Sequence, residues 1–114
     1  MTKNQHILVT GVDGFSGTNL FHFLRKKNYS VIGISRKKKK KFILKKNLLN
    51  NLNLNDLKNK KVSTLIHAAG YHKIDEFNQL PIIKKKRNIL MTKKLIKFCK
   101  EAGVKSFIFF STID

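Results

Sequence analysis

Apolar residues fall in short blocks, and glycine, asparagine and lysine separate them. His6–Thr10 (HILVT) is apolar nearly throughout and stops at a glycine, the pattern of a buried strand. From Phe15 the period turns helical, with Leu20, Phe21, Phe23 and Leu24 on one side. Arg25, Lys26 and Lys27 close that stretch, where basic residues suit a helix C-terminus, and Asn28 ends it. Ser30–Ser35 (SVIGIS) reads as a second strand and Phe42–Leu44 as a short third. Asn47–Lys60 reads as loop with a short helix around Leu54–Lys58, and Tyr71–Leu80 as polar loop. Val62–Ala68 (VSTLIHA) is a further strand. Pro81 suits the first turn of a long helix, Ile82–Ala102, with apolar positions at Ile82, Ile89, Leu90, Leu95, Ile96 and Cys99. Gly103 would cap it, and Ser106–Phe110 (SFIFF) is a last strand.

The order is β-α-β-(β)-α-β-α-β. Apolar strands separated by helices predict an α/β fold, a doubly wound parallel sheet of about five strands with helices on both faces. At 114 residues there is room for one domain with one core.

The turn between the first strand and the first helix carries Gly11, Gly14 and Gly17, half of the six glycines. A glycine turn that follows a strand and opens a helix suits a dinucleotide pyrophosphate. Gly11 would make the turn, Gly14 would admit the phosphates, and Gly17 would let the helix pack on the strand. The helix N-terminus adds unpaired N–H groups and a positive dipole. About 20 residues on, an acid would hold the ribose hydroxyls of NAD. Ser35 and Arg36 stand there instead, followed by Lys37 and Lys38. A hydroxyl and a guanidinium suit a 2′-phosphate, which predicts NADP over NAD. Alternatively, Arg36 only begins a solvated basic run.

The net charge of +19 comes from 25 Lys+Arg against 6 Asp+Glu. It accompanies many Asn, Ile and Phe, so it reads mainly as a compositional bias carried on solvated faces. One cysteine excludes an internal disulfide and a multi-cysteine metal site. The four histidines lack metal-site spacing, so no metal is expected. His6 and His22 read as structural or surface residues, and Cys99 as a core residue. His67 is expected to make a structural hydrogen bond. His72 is a weaker candidate near the cofactor phosphates, and Asp13 is expected to face solvent. The absence of a signal-peptide pattern and of a membrane-length apolar run makes the cytoplasm the default compartment.

These residues resemble the extended short-chain dehydrogenase/reductases, the NAD(P)-dependent nucleotide-sugar epimerases and dehydratases. ILVTGVDGFSG (Ile7–Gly17) looks like the family's cofactor loop, and LIHAAG (Leu65–Gly70) like its fourth-strand motif. Glu76, Pro81, Asn88 and Thr92 fall at spacings familiar from sugar epimerases, and GVKSFIFFST (Gly103–Thr112) looks like the approach to the catalytic Ser/Thr. The resemblance implies that Phe15 and Ser16 flank the pyrophosphate. Asn47 and Leu48 would stand by the adenine, although Asn47 replaces the family's usual Asp. Ala68, Ala69 and Gly70 would pass beneath the cofactor, and Asn88 would match the family's Asn on the long helix. Met91 replaces a usual Gly. Thr112 would be the catalytic hydroxyl that bonds the substrate oxygen.

The family's Tyr-x-x-x-Lys pair does not occur. Tyr29 is followed four residues on by Gly33, and Tyr71 by Asp75. The resemblance therefore implies the N-terminal, cofactor-binding part of a longer enzyme, which takes a nucleotide-sugar only in the longer chain and does not turn over alone. The family's four-helix dimer would be incomplete, since only the long helix is present. Two alternatives differ in class: a stand-alone dinucleotide-binding or sensing module, and a basic nucleic-acid-binding protein using Arg36–Lys46.

Overall fold

A computed structural model describes residues 5–37, 39–48, 57, 60–68 and 81–110. Five strands form one sheet: β1 (Gln5–Thr10), β2 (Val31–Ser35), β3 (Ile43–Lys45), β4 (Lys61–His67) and β5 (Ser106–Phe109). The helices with described bounds are α1 (Phe15–Lys26) and α2 (Pro81–Ala102). The spatial order is β3-β2-β1-β4-β5, and every pairing is parallel. The expected parallel α/β sheet is present. The chain winds from β1 outward to β3, then crosses to β4 on the other side of β1. That reversal makes the carboxyl ends of β1 and β4 a topological switch point, where open α/β sheets hold ligands.

The two faces separate cleanly along β1. Leu8 packs with Ile32, Ile34, Leu65 and the α2 residues Met91, Leu95, Phe98 and Cys99. Its neighbours Ile7 and Val9 pack with Val31, Val12 and Phe21 of α1 on the opposite face. Alternation along a strand buried on both sides produces this division. Leu48 and Leu57 join the α2 cluster.

Gly33 in β2 admits α1 to the sheet. A Cβ there would stand 2.9 Å from Val12 Cγ1 and 3.3 Å from Phe21 Cε2. At its far end, Arg25 stacks over Phe42, with 3.8 Å between guanidinium carbon and ring centre. This contact ties α1 to the turn before β3.

Three sequence expectations are corrected. On α1, Phe21 is buried, but Phe23 is exposed. On α2, Leu95 and Cys99 are buried with Met91 and Phe98, whereas Ile82, Ile89, Leu90 and Ile96 are exposed. The helix carries two apolar stripes, and only the one beginning at Met91 meets the sheet. The third strand is Ile43–Lys45, because Phe42 takes a left-handed turn conformation at φ 65°. Elsewhere Asn28 ends α1 as expected, at φ 66°, and Gly103 follows α2 at φ 71°. The SFIFF strand forms one sheet edge and leaves Ile108, Phe109 and Phe110 exposed.

His6 is the second residue of β1, near the end of the strand opposite the glycine turn. Burial, and secondarily Lys60, push its imidazole below the ordinary histidine value. The unfolded chain therefore takes up this proton first on acidification. Its contribution is complete above about pH 6.5 and declines as pH falls from there towards the lower folded value. Denaturation midpoints should fall on acidification through this window, and His6→Gln should flatten that fall.

Candidate functional site

The carboxyl ends of β1, β2 and β4 converge on one rim. Each apolar strand ends in a polar residue there, Thr10, Ser35 and His67, followed by Gly11, Arg36 and Ala68.

The glycine turn is built from backbone. Gly11 has φ 74°, open to glycine at little cost. Its N–H, and that of Val12, reach the Ile34 carbonyl of β2, and its own carbonyl accepts from Gly14 N–H at 3.1 Å. The Thr18 hydroxyl donates to the Val12 carbonyl and pins the turn to the first turn of α1. Gly17 is a steric requirement: a Cβ there would lie 2.0 Å from the Gly11 carbonyl oxygen and 2.6 Å from its carbon. The close approach is thus between helix and turn, where the sequence reading put it between helix and strand.

Gly14 differs. It is the N-cap of α1 in extended backbone, φ −87° and ψ 169°, with no side-chain cap. A Cβ on it would meet only the Gly11 oxygen, at 3.5 Å, an ordinary contact. Nothing in the described chain requires a glycine here. The first N–H groups of α1 have no intrahelical partners, and no acid stands in its first turn. Phe15 and Ser16 are exposed beside them, Phe15 at 87%.

At the end of β2, Ser35 is buried. Its hydroxyl accepts from Lys37 N–H at 3.0 Å, and its carbonyl accepts from Lys46 N–H at 2.9 Å. Asp13 is not simply solvent-facing. Its backbone is open, but its carboxylate side chain is only 16% exposed. Oδ2 accepts from Arg36 N–H at 3.3 Å and stands 3.9 Å from Arg36 Nε. The glycine turn and the end of β2 are joined through this contact. Lys37 and Lys39–Lys41 are exposed.

Between β1 and β4, Thr10 Oγ1 and His67 Nδ1 are hydrogen-bonded at 2.7 Å, both buried. Thr10 Oγ1 also accepts from Ala68 N–H at 3.1 Å. His67 makes the structural bond expected of it, and Thr10, overlooked in the sequence, sets the direction of the chain leaving β4. Thr10→Val would take one partner from the buried His67 ring and one from the half-buried Ala68 N–H. Chemical denaturation should show a loss of about 1–3 kcal/mol.

Other candidates are placed less centrally. Asn47 is exposed beyond β3, while the Leu48 side chain lies in the core, so Leu48 can offer a ligand only its main chain. Asn88 is half-buried on α2, and its carbonyl accepts from the Thr92 hydroxyl at 3.0 Å. Burial raises the Cys99 thiol above its usual value, in keeping with a core residue. Lys38, Ala69, Gly70, Tyr71, His72, Glu76 and Thr112 lie outside the described residues, as does the stretch Leu54–Lys58 expected to be a short helix, apart from Leu57. Among the described residues no cluster suits a metal ion, and no helix is long and apolar enough to cross a membrane.

A parallel sheet in this order, with a glycine turn opening the first helix at the switch point, is a Rossmann-type unit. The family model for the NAD dependent epimerase/dehydratase family matches residues 7–114, and the chain belongs to that family. It is 31% identical to the dTDP-D-glucose 4,6-dehydratase of Dictyostelium discoideum, over 95% of this chain and 29% of that protein. It is 33% identical to the CDP-abequose synthase of Salmonella muenchen, over 92% of this chain and 36% of that protein. Among solved structures, MoeE5 in complex with UDP-glucose and NAD superposes with a TM-score of 0.77 at 31% identity, covering 94% of this chain and 36% of that one. The UDP-glucose 4-epimerase of Thermus thermophilus, in complex with NAD, reaches 0.79 at 20% identity, over 94% of this chain and 37% of that one, and shares the fold. The chain thus spans about a third of the length of the curated relatives it matches.

Proposed function

We propose that residues 1–114 form a dinucleotide-binding domain and hold NAD or NADP across the carboxyl ends of β1, β2 and β4. Gly14 carries this reading. It is an N-cap glycine that packing among the described residues does not require, set between a backbone turn and a helix N-terminus. Bare backbone at that point is what a pyrophosphate needs in order to reach the N–H groups. Gly11, Gly14 and Gly17 form the turn, with Phe15 and Ser16 flanking the phosphates. Ser35 and Arg36 stand at the adenosine ribose, Asn47 and the Leu48 main chain at the adenine, and Ala68, Ala69 and Gly70 pass under the nicotinamide half. Asn88 contributes from α2. Arg36 inclines the site slightly towards NADP.

Family membership supports a redox reaction on a nucleotide-sugar for the whole protein. The dinucleotide, when bound, would supply a hydride acceptor, and Thr112 would be the hydroxyl that bonds the substrate oxygen. No tyrosine in these residues is followed four positions on by lysine, so the 114 residues alone should bind without turning over. The test is titration of the chain with NAD and with NADP, followed by calorimetry. Saturable one-to-one binding with a Kd in roughly the micromolar range is expected. No binding of either up to about 1 mM overturns the reading.

A further inference from the structure

Asp13 stands inside the glycine turn, and its carboxylate reaches the residue that follows β2. Two contacts hold it there: Arg36 N–H at 3.3 Å and Arg36 Nε at 3.9 Å. The backbone contact is independent of the guanidinium. The guanidinium side chain is 39% exposed, whereas the Asp13 side chain is 16% exposed. A negative charge is thus fixed beside the cation that would receive a 2′-phosphate.

We propose that Asp13 is a specificity-determining residue that sets the balance between the two dinucleotides by holding down affinity for the 2′-phosphate form. The inference rests on the dinucleotide reading above. A 2′-phosphate on Arg36 must share the guanidinium with Asp13 and lie near its carboxylate. Like charges a few ångströms apart repel even near solvent, and here one of them is largely shielded. NAD, with a free 2′-hydroxyl, meets no such repulsion. Arg36 favours NADP and Asp13 opposes it, so the chain takes both with a small preference. Without the contact at Asp13, the basic end of β2 would favour NADP strongly.

The experiment measures calorimetric dissociation constants of the 114-residue chain for NAD and NADP, and for the fragments AMP and adenosine 2′,5′-bisphosphate. Asp13→Asn keeps the shape and removes the charge. Its affinity for NADP should rise about tenfold relative to NAD, with the same direction for the bisphosphate over AMP. Arg36→Gln should lower the affinity for NADP about tenfold relative to that for NAD. In the double variant the gain from Asp13→Asn should shrink, because the guanidinium it releases is gone. Asp13→Ser repeats the charge removal in a second shape, so a fold defect of one variant, seen by circular dichroism, leaves the other to answer. A ratio unchanged within about twofold in the folded variant overturns the proposal. So does a loss of NAD affinity that outweighs any NADP gain, which would make Asp13 a ribose ligand instead. If the unmodified chain binds neither dinucleotide, the dinucleotide reading falls first and this inference with it.

Discussion

Replacing Gly17 by alanine should cost about 3 kcal/mol or more of folding stability. The added Cβ would stand 2.0 Å from the Gly11 carbonyl oxygen and 2.6 Å from the carbonyl carbon. Both are backbone atoms, so no flexible side-chain end can give way. Gly11 cannot retreat easily, because its N–H reaches the Ile34 carbonyl and its φ of 74° already defines the turn. The strain must therefore pass into α1, which carries Phe21 into the core beside Val12 and Gly33. A loss of that size is a large fraction of a small domain's stability. Thermal and urea denaturation of Gly17→Ala against the unmodified chain measure it. Equal midpoints would mean that helix and turn are not packed as described.

Replacing Gly14 by aspartate should have the opposite profile: dinucleotide binding weakened on the order of 100-fold, about 3 kcal/mol, with stability kept. Gly14 has ordinary extended backbone, and among the described residues its Cβ would meet one atom within 4 Å, the Gly11 oxygen at 3.5 Å. It is the N-cap of α1, where an Asp side chain accepts from the first helical N–H groups and typically adds a few tenths of a kcal/mol over glycine. The same carboxylate then occupies the donors that a pyrophosphate would use and opposes its charge. Denaturation midpoints that hold or rise, alongside titrations that lose their signal, are the expected pair. Undiminished binding in a folded Gly14→Asp protein would place the phosphates elsewhere.

The contrast between Gly14 and Gly17 shows how far spacing alone can be read. The glycine motif already separates Gly17, for helix packing, from Gly14, for the phosphates. The structure adds the distances: a Cβ at Gly17 would strike the Gly11 carbonyl, whereas one at Gly14 would make an ordinary contact with it. Asp13 is similar. Its charge was visible beside a later basic residue, but it was read as solvent-facing. The signal lay in the β1–β2 register: Thr10 pairs with Ile34, so the residues just beyond, Asp13 and Arg36 among them, emerge side by side. Thr10 and His67 carried a comparable clue, since each closes an apolar strand with a polar side chain. Their pairing followed once β1 and β4 were neighbours in register.

What the sequence determined by itself was whatever depends on near neighbours in the chain. Apolar blocks separated by helical stretches dictated the strands, the parallel α/β class and the glycine turn ahead of α1. Residue types at the strand ends indicated a dinucleotide. Tertiary structure alone decided which face each side chain served. Met91 and Phe98 of α2 turn to the sheet while Ile82, Ile89 and Ile96 face outward, because a helix with two apolar stripes has no local reason to choose one. It also decided that Asp13 meets Arg36 and that Thr10 meets His67. Those contacts join residues 23 and 57 positions apart, and they exist only because strand order and register bring the carboxyl ends of β1, β2 and β4 to a single rim.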